Sequence, residues 1–107
     1  MEVVWSRLAR ETFAELLCFV EQNFNTGVAQ KVANSINEYV NLLCTFPHIG
    51  YIDEKLSTDK TKVCLINCKK TVIYYAIDNK TVIIIAIFDT RRNPIEIKRQ
   101  IHTFIEK

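Results

Sequence analysis

Two long apolar runs that stand almost side by side constrain the fold of this chain more than any other feature. VIYYAI occupies residues 72–77, VIIIAIF occupies residues 82–88, and a short polar turn separates them. In each run the odd-numbered and the even-numbered residues are both apolar, whereas a strand with one face in water alternates between apolar and polar residues. We therefore predict two central strands, 71–78 and 81–88, paired as a hairpin and covered on both faces.

Two amphipathic helices are predicted ahead of these strands. Apolar residues recur at spacings of three and four, the pattern of one helix face, in residues 8–24 and again in residues 28–43. Ser6 is a suitable N-cap for the first helix and Thr26 for the second, which Pro47 ends. Because only three residues break the pattern between the helices, they are expected to run antiparallel and form a helical hairpin.

Shorter segments complete the predicted fold. Residues 2–5, 50–56 and 62–68 are expected to add strands, and Asn93 followed by Pro94 predicts the start of a short C-terminal helix. The expected fold class is α+β, with an N-terminal helical hairpin packed on a small antiparallel sheet. A chain of 107 residues is long enough for one such domain, 1–107, and too short for two.

Both faces of the predicted sheet are apolar, so two covering layers are required. The helical hairpin covers one face, and the C-terminal helix is expected to cover part of the other. An apolar area should remain, and large exposed areas of this kind mark sites of protein association. We therefore expect a partner protein to cover the rest of the second face.

The composition argues against several classes of protein. No apolar run approaches the roughly 20 residues that span a bilayer, and the N-terminus lacks the apolar core of a signal peptide. We expect a cytoplasmic protein without membrane contact. Cys18, Cys44, Cys64 and Cys68 form no CxxC pair, and no histidines stand at zinc-finger spacing. Buried free thiols are favoured over disulfides or a metal site, and no cofactor is expected.

The segment DTRRNP, at the end of the second apolar run, is the main candidate site. Arg91 and Arg92 follow Asp89 closely, and the planar fork of an arginine suits bidentate binding of phosphate or carboxylate. The alternative interpretation is a charged strand end that extends into water. We predict that Asp89 orients one arginine and that the other faces a partner.

Four further residues are weaker candidates. Residues 1–50 carry three basic and five acidic residues, whereas residues 51–107 carry eleven and seven, so the second half is the better candidate for binding anions. Lys62, Lys69 and Lys70 stand at predicted strand ends, where they are either solvated turn residues or a basic rim for nucleic acid or an acidic partner. His48, in FPHIGY, is either a loop residue with one local hydrogen bond or a general base.

An ordered set of segments resembles a known family. VVWS near the start, FPHIGY, the stretch LI…VIYYAI and the final DTRRNP are together similar to the toxins of the RelE/ParE superfamily, which belong to bacterial type II toxin–antitoxin systems. The resemblance implies a helical hairpin on a small antiparallel sheet. It also implies a cognate antitoxin, which would cover the working surface of the toxin and form a hetero-oligomer with it.

One branch of this superfamily, the RelE-like toxins, cleaves messenger RNA on the ribosome. That reaction needs a base for the attacking 2′-OH, cations for the phosphate and an acid for the leaving oxygen. The resemblance places the arginine of these enzymes at Arg91 or Arg92 and leaves two of the catalytic roles without an obvious holder. If the chain is a nuclease, Lys62 and His48 are further candidates. This chain departs from the RelE pattern, because neither a basic residue at the start of strand 71–78 nor a histidine or tyrosine close after the arginines is present.

The other branch, the ParE-like toxins, binds DNA gyrase and performs no chemistry itself. Such a toxin needs a shaped and partly basic surface but no acid–base pair, and a net charge of only +2 suits it better than it suits a ribosome binder. We therefore favour a ParE-like toxin, with the RelE-like nuclease as the alternative. A non-toxic interaction module on the same fold is the third candidate, and whether the chain is an enzyme stays open.

Overall fold

The chain forms its two long helices first and most of its strands afterwards, as the spacing of its apolar residues predicts. The structure is a computed structural model and describes residues 1–105. The α+β fold class is confirmed, with two N-terminal helices, a five-stranded sheet and a short C-terminal helix. The elements are β1 (Glu2–Trp5), α1 (Arg7–Asn23), α2 (Thr26–Thr45), β2 (Tyr51–Ile52), β3 (Cys64–Cys68), β4 (Thr71–Asp78), β5 (Thr81–Asp89) and α3 (Pro94–Ile105).

The sheet has the order β1-β5-β4-β3-β2, so the two apolar strands β4 and β5 lie inside it as predicted. The pairings of β2, β3, β4 and β5 are antiparallel, but β1 pairs with β5 in parallel, with Val3 opposite Val82 and Trp5 opposite Ile84. The sheet is therefore mixed rather than wholly antiparallel. No tight turn connects β1 to its neighbour, so turn geometry does not impose an antiparallel direction on this pair.

A β-bulge interrupts β5 beside the helical hairpin. Tyr74 pairs with Ala86 and Tyr75 with Ile84, so Ile85 is an extra residue without a partner on β4. The hydroxyl of Ser6 donates a hydrogen bond to the carbonyl oxygen of Ile85 at 2.8 Å. Since a bulge leaves ladder groups unpaired, this hydroxyl satisfies an acceptor that β4 does not reach.

The helix boundaries confirm most of the predicted stop and start signals. The hydroxyl of Ser6 accepts a hydrogen bond from the backbone N–H of Ala9 at 2.9 Å, as expected of the N-cap of α1. The predicted cap of α2 was one residue too late: the side chain of Asn25 accepts from the N–H of Val28 at 2.9 Å, and Thr26 is the first helical residue. None of the described helices is long and apolar enough to cross a membrane.

A hydrophobic core lies on each face of the sheet. The first core joins α1 and α2 to side chains such as Ile73, Tyr75 and Ile84. The second joins α3 and the loop before β3 to the opposite face of β4 and β5. Its buried members are Leu56, Val63, Val72, Ala76, Ile85, Ala86, Phe88, Ile97 and Ile101.

The second sheet face is covered more fully than expected over β4 and β5, whereas Val4, opposite the partly buried Ile83 at the β1 edge, remains 50% exposed. Leu56 and Val63, from the segment between β2 and β3, are fully buried on this face beside α3. The carboxylate of Asp53 accepts hydrogen bonds from the N–H groups of Lys55 and Leu56 at 3.0 and 3.1 Å, which fixes this segment over the sheet. As a consequence, the edge strand expected over residues 50–56 is reduced to β2.

Candidate functional site

Asp89, the last residue of β5, holds Arg91 in a bidentate ion pair. The Nε of Arg91 donates to Oδ1 of Asp89 at 2.9 Å, and a terminal nitrogen donates to Oδ2 at 2.8 Å. The backbone N–H of Arg91 also donates to Oδ1 at 2.8 Å. These hydrogen bonds lower the pKa of Asp89, against the effect of its partial burial, and they raise the pKa of Arg91.

Arg92 differs from its neighbour in that it forms no ion pair within residues 1–105. Its guanidinium lies over the ring of Phe88, 5.5 Å from the ring centroid, in a cation–π arrangement. The side chain is otherwise exposed. One arginine is thus held by Asp89 while the other presents its donors to solvent, and their roles in binding stay a prediction.

The two arginines border an open groove between α1 and the end of β5, which we call the α1 groove. Its volume is about 250 Å³. Phe19 is 47% exposed and forms part of the apolar wall on the helix side. The groove therefore combines apolar surface, one uncommitted guanidinium and two carboxylates. Its lining residues are Thr12, Glu15, Leu16, Phe19, Ile87, Phe88, Asp89, Arg91 and Arg92.

A second cleft, the α2 cleft, lies between α2 and the turn that joins β3 to β4. Its volume is about 270 Å³, and Lys69 and Lys70 belong to it. Thr71 of this cleft is paired directly with Asp89 of the α1 groove, so the two depressions occupy the same end of the sheet. The lining residues are Val28, Lys31, Val32, Ser35, Ile36, Cys68, Lys69, Lys70 and Thr71.

The four residues proposed for a nuclease are not brought together. Arg91 and Arg92 border the α1 groove, but neither Lys62 nor His48 lines it. Lys62 is exposed in the loop before β3, whereas Lys69 follows the other end of that strand. His48 is exposed in the turn between α2 and β2.

Three residues of these clefts were missed by the sequence reasoning. Glu15 and Phe19 are on α1, and Lys31 is on α2. Phe19 carries a signal that could have been used, since it is a large aromatic residue outside the apolar stripe of an amphipathic helix. Glu15 and Lys31 carry no such signal, because charged residues on the outer face of a helix are ordinary.

No group of three histidine, cysteine or acidic side chains within residues 1–105 is arranged to hold a metal ion. All four cysteines are free. Cys68 is buried and Cys44 and Cys64 are partly buried, but Cys18 is exposed on α1, so the expectation of buried thiols was wrong for that residue. Burial raises the pKa values of Cys64 and Cys68.

The fold and these clefts define a small α+β protein with a basic, partly apolar surface at one end of its sheet. A solved structure described as the chromosomal ParDE toxin–antitoxin system from P. aeruginosa has the same fold. The TM-score is 0.66 at 16% identity, and the match covers 83% of this chain and 95% of that chain. No match was found among curated proteins.

The sequence profile of the ParE toxin of type II toxin–antitoxin systems, parDE, matches residues 3–94. The chain therefore belongs to the ParE toxin family, which confirms the resemblance seen in the sequence. The match ends at the first residue of α3, so most of this helix follows the region that the family profile covers.

Proposed function

We propose that this chain is a ParE-type toxin that acts in the cytoplasm by binding an essential target such as DNA gyrase. A cognate antitoxin neutralises it by forming a hetero-oligomer with it. Membership of the family, over residues 3–94, supports this proposal. Residues 1–107 act together as one toxin domain.

The residues that line the α1 groove are the main observation in favour of a binding function over RNA cleavage. A cleavage site needs a group that accepts a proton and a group that donates one near neutral pH. Among the described residues of the groove, the titratable groups are Glu15, Asp89 and two arginines. Asp89 is engaged by Arg91 and its pKa is lowered, which makes it a poor acid or base at neutral pH.

The charge of the groove also argues against an RNA substrate. Glu15 and Asp89 stand beside the two arginines, and carboxylates repel the phosphates that a nuclease must hold. The exposed Phe19 and Arg92 instead match the composition of protein–protein interfaces, in which aromatic residues and arginine are enriched. The α1 groove is therefore assigned to the protein target.

Growth of bacteria that express the chain alone tests the proposal. Expression of the wild type should arrest growth, and co-expression of the protein from the adjacent reading frame should restore it. Arg91→Ala/Arg92→Ala should abolish the arrest while the fold survives, since both side chains are exposed. Lys80→Ala, in the exposed turn between β4 and β5, is the matched control and should remain toxic.

Two assays with purified components separate the candidate mechanisms. The wild type should inhibit DNA supercoiling by gyrase, and it should leave messenger RNA intact on translating ribosomes. Cleaved message would establish the RelE-like nuclease instead. A chain that binds its antitoxin but never arrests growth would be the non-toxic interaction module.

A further inference from the structure

Three lysines form a rim around the α2 cleft, and the function proposed for the α1 groove gives them no role. Lys31 comes from α2, and Lys69 and Lys70 form the turn between β3 and β4. All three side chains are exposed, and none forms a salt bridge within residues 1–105. Below them the cleft is lined by aliphatic side chains and the buried thiol of Cys68.

The backbone at Lys69 indicates that this charge is not incidental. Lys69 has a φ of 59°, in the left-handed region that favours glycine and asparagine. The turn between β4 and β5 has the same two-residue form, and there the left-handed position is occupied by Asn79, with a φ of 55°. A lysine at this position is less favourable by about 1 kcal/mol, and strain of this kind persists where another requirement outweighs it.

Over β4 and β5, the second face of the sheet is already covered by α3 and the segment around Leu56. The α2 cleft is open, and it is next to the proposed target site. Thr71 in the cleft pairs with Asp89 in the groove, and the N–H of Thr90 donates to the carbonyl oxygen of Lys70 at 2.8 Å. A chain segment seated in the cleft would therefore lie against the strand end that carries Arg91 and Arg92.

We propose that the α2 cleft is the docking site of an acidic segment of the antitoxin. An aliphatic side chain of that segment enters the cleft, and carboxylates on either side of it pair with Lys31, Lys69 and Lys70. The segment then obstructs access to Arg92 across the end of β4 and β5. This inference rests on the proposed function, because the antitoxin is the partner that it names.

The lining of the cleft favours a protein segment over nucleic acid. Single-stranded nucleic acids bind through a basic surface together with aromatic rings on which bases stack. The described lining of the α2 cleft is basic at its rim, but it contains no aromatic side chain. The aliphatic floor of the cleft and the separated ammonium groups of its three lysines are complementary to a segment in which leucine or isoleucine alternates with aspartate or glutamate.

Affinity measurements with the full-length protein of the adjacent reading frame test the proposal. Titration calorimetry would compare the wild type with Lys69→Asn, with Lys31→Gln/Lys69→Asn/Lys70→Gln, and with the matched control Lys80→Gln. Lys69→Asn should weaken binding by about two- to fivefold, although it should raise the melting temperature because asparagine accepts the left-handed backbone. The triple variant should weaken binding by about 10- to 100-fold, and Lys80→Gln should bind like the wild type.

Salt dependence provides a second readout that a general loss of structure would not reproduce. Raising the NaCl concentration from about 50 mM to about 500 mM should weaken binding of the wild type more than binding of the triple variant, because screening acts on the ion pairs. Equal affinity and equal salt dependence of the two proteins would overturn the proposal.

Three outcomes separate this proposal from the proposed function and from its rivals. If the wild type binds the antitoxin tightly and the triple variant does so equally, the docking site is wrong while the proposed toxin function stands. If the wild type neither binds this protein nor arrests growth, both proposals fall. If a short single-stranded DNA binds the wild type and loses affinity in the triple variant while the antitoxin does not, the cleft binds nucleic acid and the proposal is overturned.

Discussion

The hydroxyl of Thr12 accepts a hydrogen bond from the backbone N–H of Ile87 at 3.0 Å. Thr12 is only 3% exposed, and the same hydroxyl donates back to the carbonyl oxygen of Leu8 at 2.8 Å. Ile87 lies two residues beyond the bulge in β5. The bond therefore fixes the position of α1 relative to the strand end that carries the candidate arginines.

Thr12→Val should destabilise the protein by about 1–3 kcal/mol, since it leaves the N–H of Ile87 buried without an acceptor while the shape of the side chain is nearly kept. Unfolding in urea, followed by circular dichroism, measures the change. Thr103→Val is a matched control, because the hydroxyl of Thr103 bonds only to the carbonyl oxygen of Arg99 within the exposed part of α3. Equal unfolding midpoints for the two variants would contradict the role given to Thr12.

Gly50 is required by a close approach of chain segments at the end of α2. Its N–H donates to the hydroxyl of Tyr75 at 3.1 Å, and that hydroxyl donates to the carbonyl oxygen of Pro47 at 2.9 Å. A Cβ atom at Gly50 would lie 2.6 Å from the carbonyl oxygen of Leu65 and would also collide with the hydroxyl of Tyr75. Gly50→Ala should therefore destabilise the protein by about 1–3 kcal/mol in thermal or urea unfolding.

Gly27→Ala is the matched control for this prediction. A Cβ at Gly27, in the first turn of α2, would meet only the side-chain oxygen of Asn25, at 3.1 Å. That oxygen has to shift by only a few tenths of an ångström, which allows Asn25 to keep its N-cap bond to Val28. Because alanine also favours the helix, the free energy of unfolding should change by less than about 1 kcal/mol. A larger loss at Gly27 than at Gly50 would show that the anchoring of this turn has been misjudged.

The pair formed by Asp89 and Arg91 predicts a specific dependence of stability on pH. Because the pKa of Asp89 is lowered in the folded protein, the charged form stabilises the fold above the ordinary aspartate value of 3.8, and this contribution is lost as the pH falls through the lowered value. Asp89→Asn should cost about 1 kcal/mol at neutral pH, and the difference from the wild type should shrink below about pH 4.

Free energies of unfolding measured from about pH 7 down to about pH 2 test this expectation. Asp78→Asn, at the other end of β4, provides the control, because Asp78 forms no ion pair within residues 1–105. A difference between the wild type and Asp89→Asn that stays constant over the whole pH range would contradict the ion pair as a source of stability.

The thiols should react at rates that follow their burial. The thiolate is the reactive form, and burial both blocks access to Cys68 and raises its pKa. Iodoacetamide at about pH 8 should therefore modify the exposed Cys18 at least about ten times faster than Cys68. Mass spectrometry of digested samples measures the two rates, and the unfolded protein, in which the rates should converge, is the control.

The elements of this fold could be predicted because their signals are local. Period, caps and turn residues lie within a few positions of the element that they define, as with Ser6 for α1 and Asn93 for α3. The direction of β1 depends on residues about 80 positions apart in the chain, where no local pattern exists. The bulge at Ile85 lies within the β4–β5 hairpin, but an unbroken apolar run gives no sign of an extra residue. The burial of Leu56 was missed for the same reason, since its loop contains no periodic segment.

The candidate site also contains one part that the sequence could predict and one part that it could not. Asp89, Arg91 and Arg92 are neighbours in sequence, so an ion pair between Asp89 and one of the arginines could be expected from the sequence. The structure places that ion pair at Arg91. Lys31 joins Lys69 and Lys70 only after α2 has packed on the sheet. A cleft assembled from separate elements has no sequence signature, so the α2 cleft could not have been anticipated.

The difference between the two arginines leads to a last prediction, on toxicity. Arg91 is occupied by Asp89, whereas Arg92 has donors that remain available for a partner. Arg92→Ala should therefore relieve growth arrest more than Arg91→Ala. Arg92→Lys should give an intermediate effect, because it keeps the charge but loses the planar fork.

Growth of cells expressing each single variant at matched protein levels measures this order. The contact of Arg92 with Phe88 is worth only about 0.5–1 kcal/mol, so the loss of toxicity in Arg92→Ala cannot be attributed to unfolding if its urea midpoint stays close to that of the wild type. If Arg91→Ala instead relieved arrest more strongly, the functional cation would be the one that Asp89 positions. The α1 groove would then bind its target through the ion pair rather than through the uncommitted guanidinium.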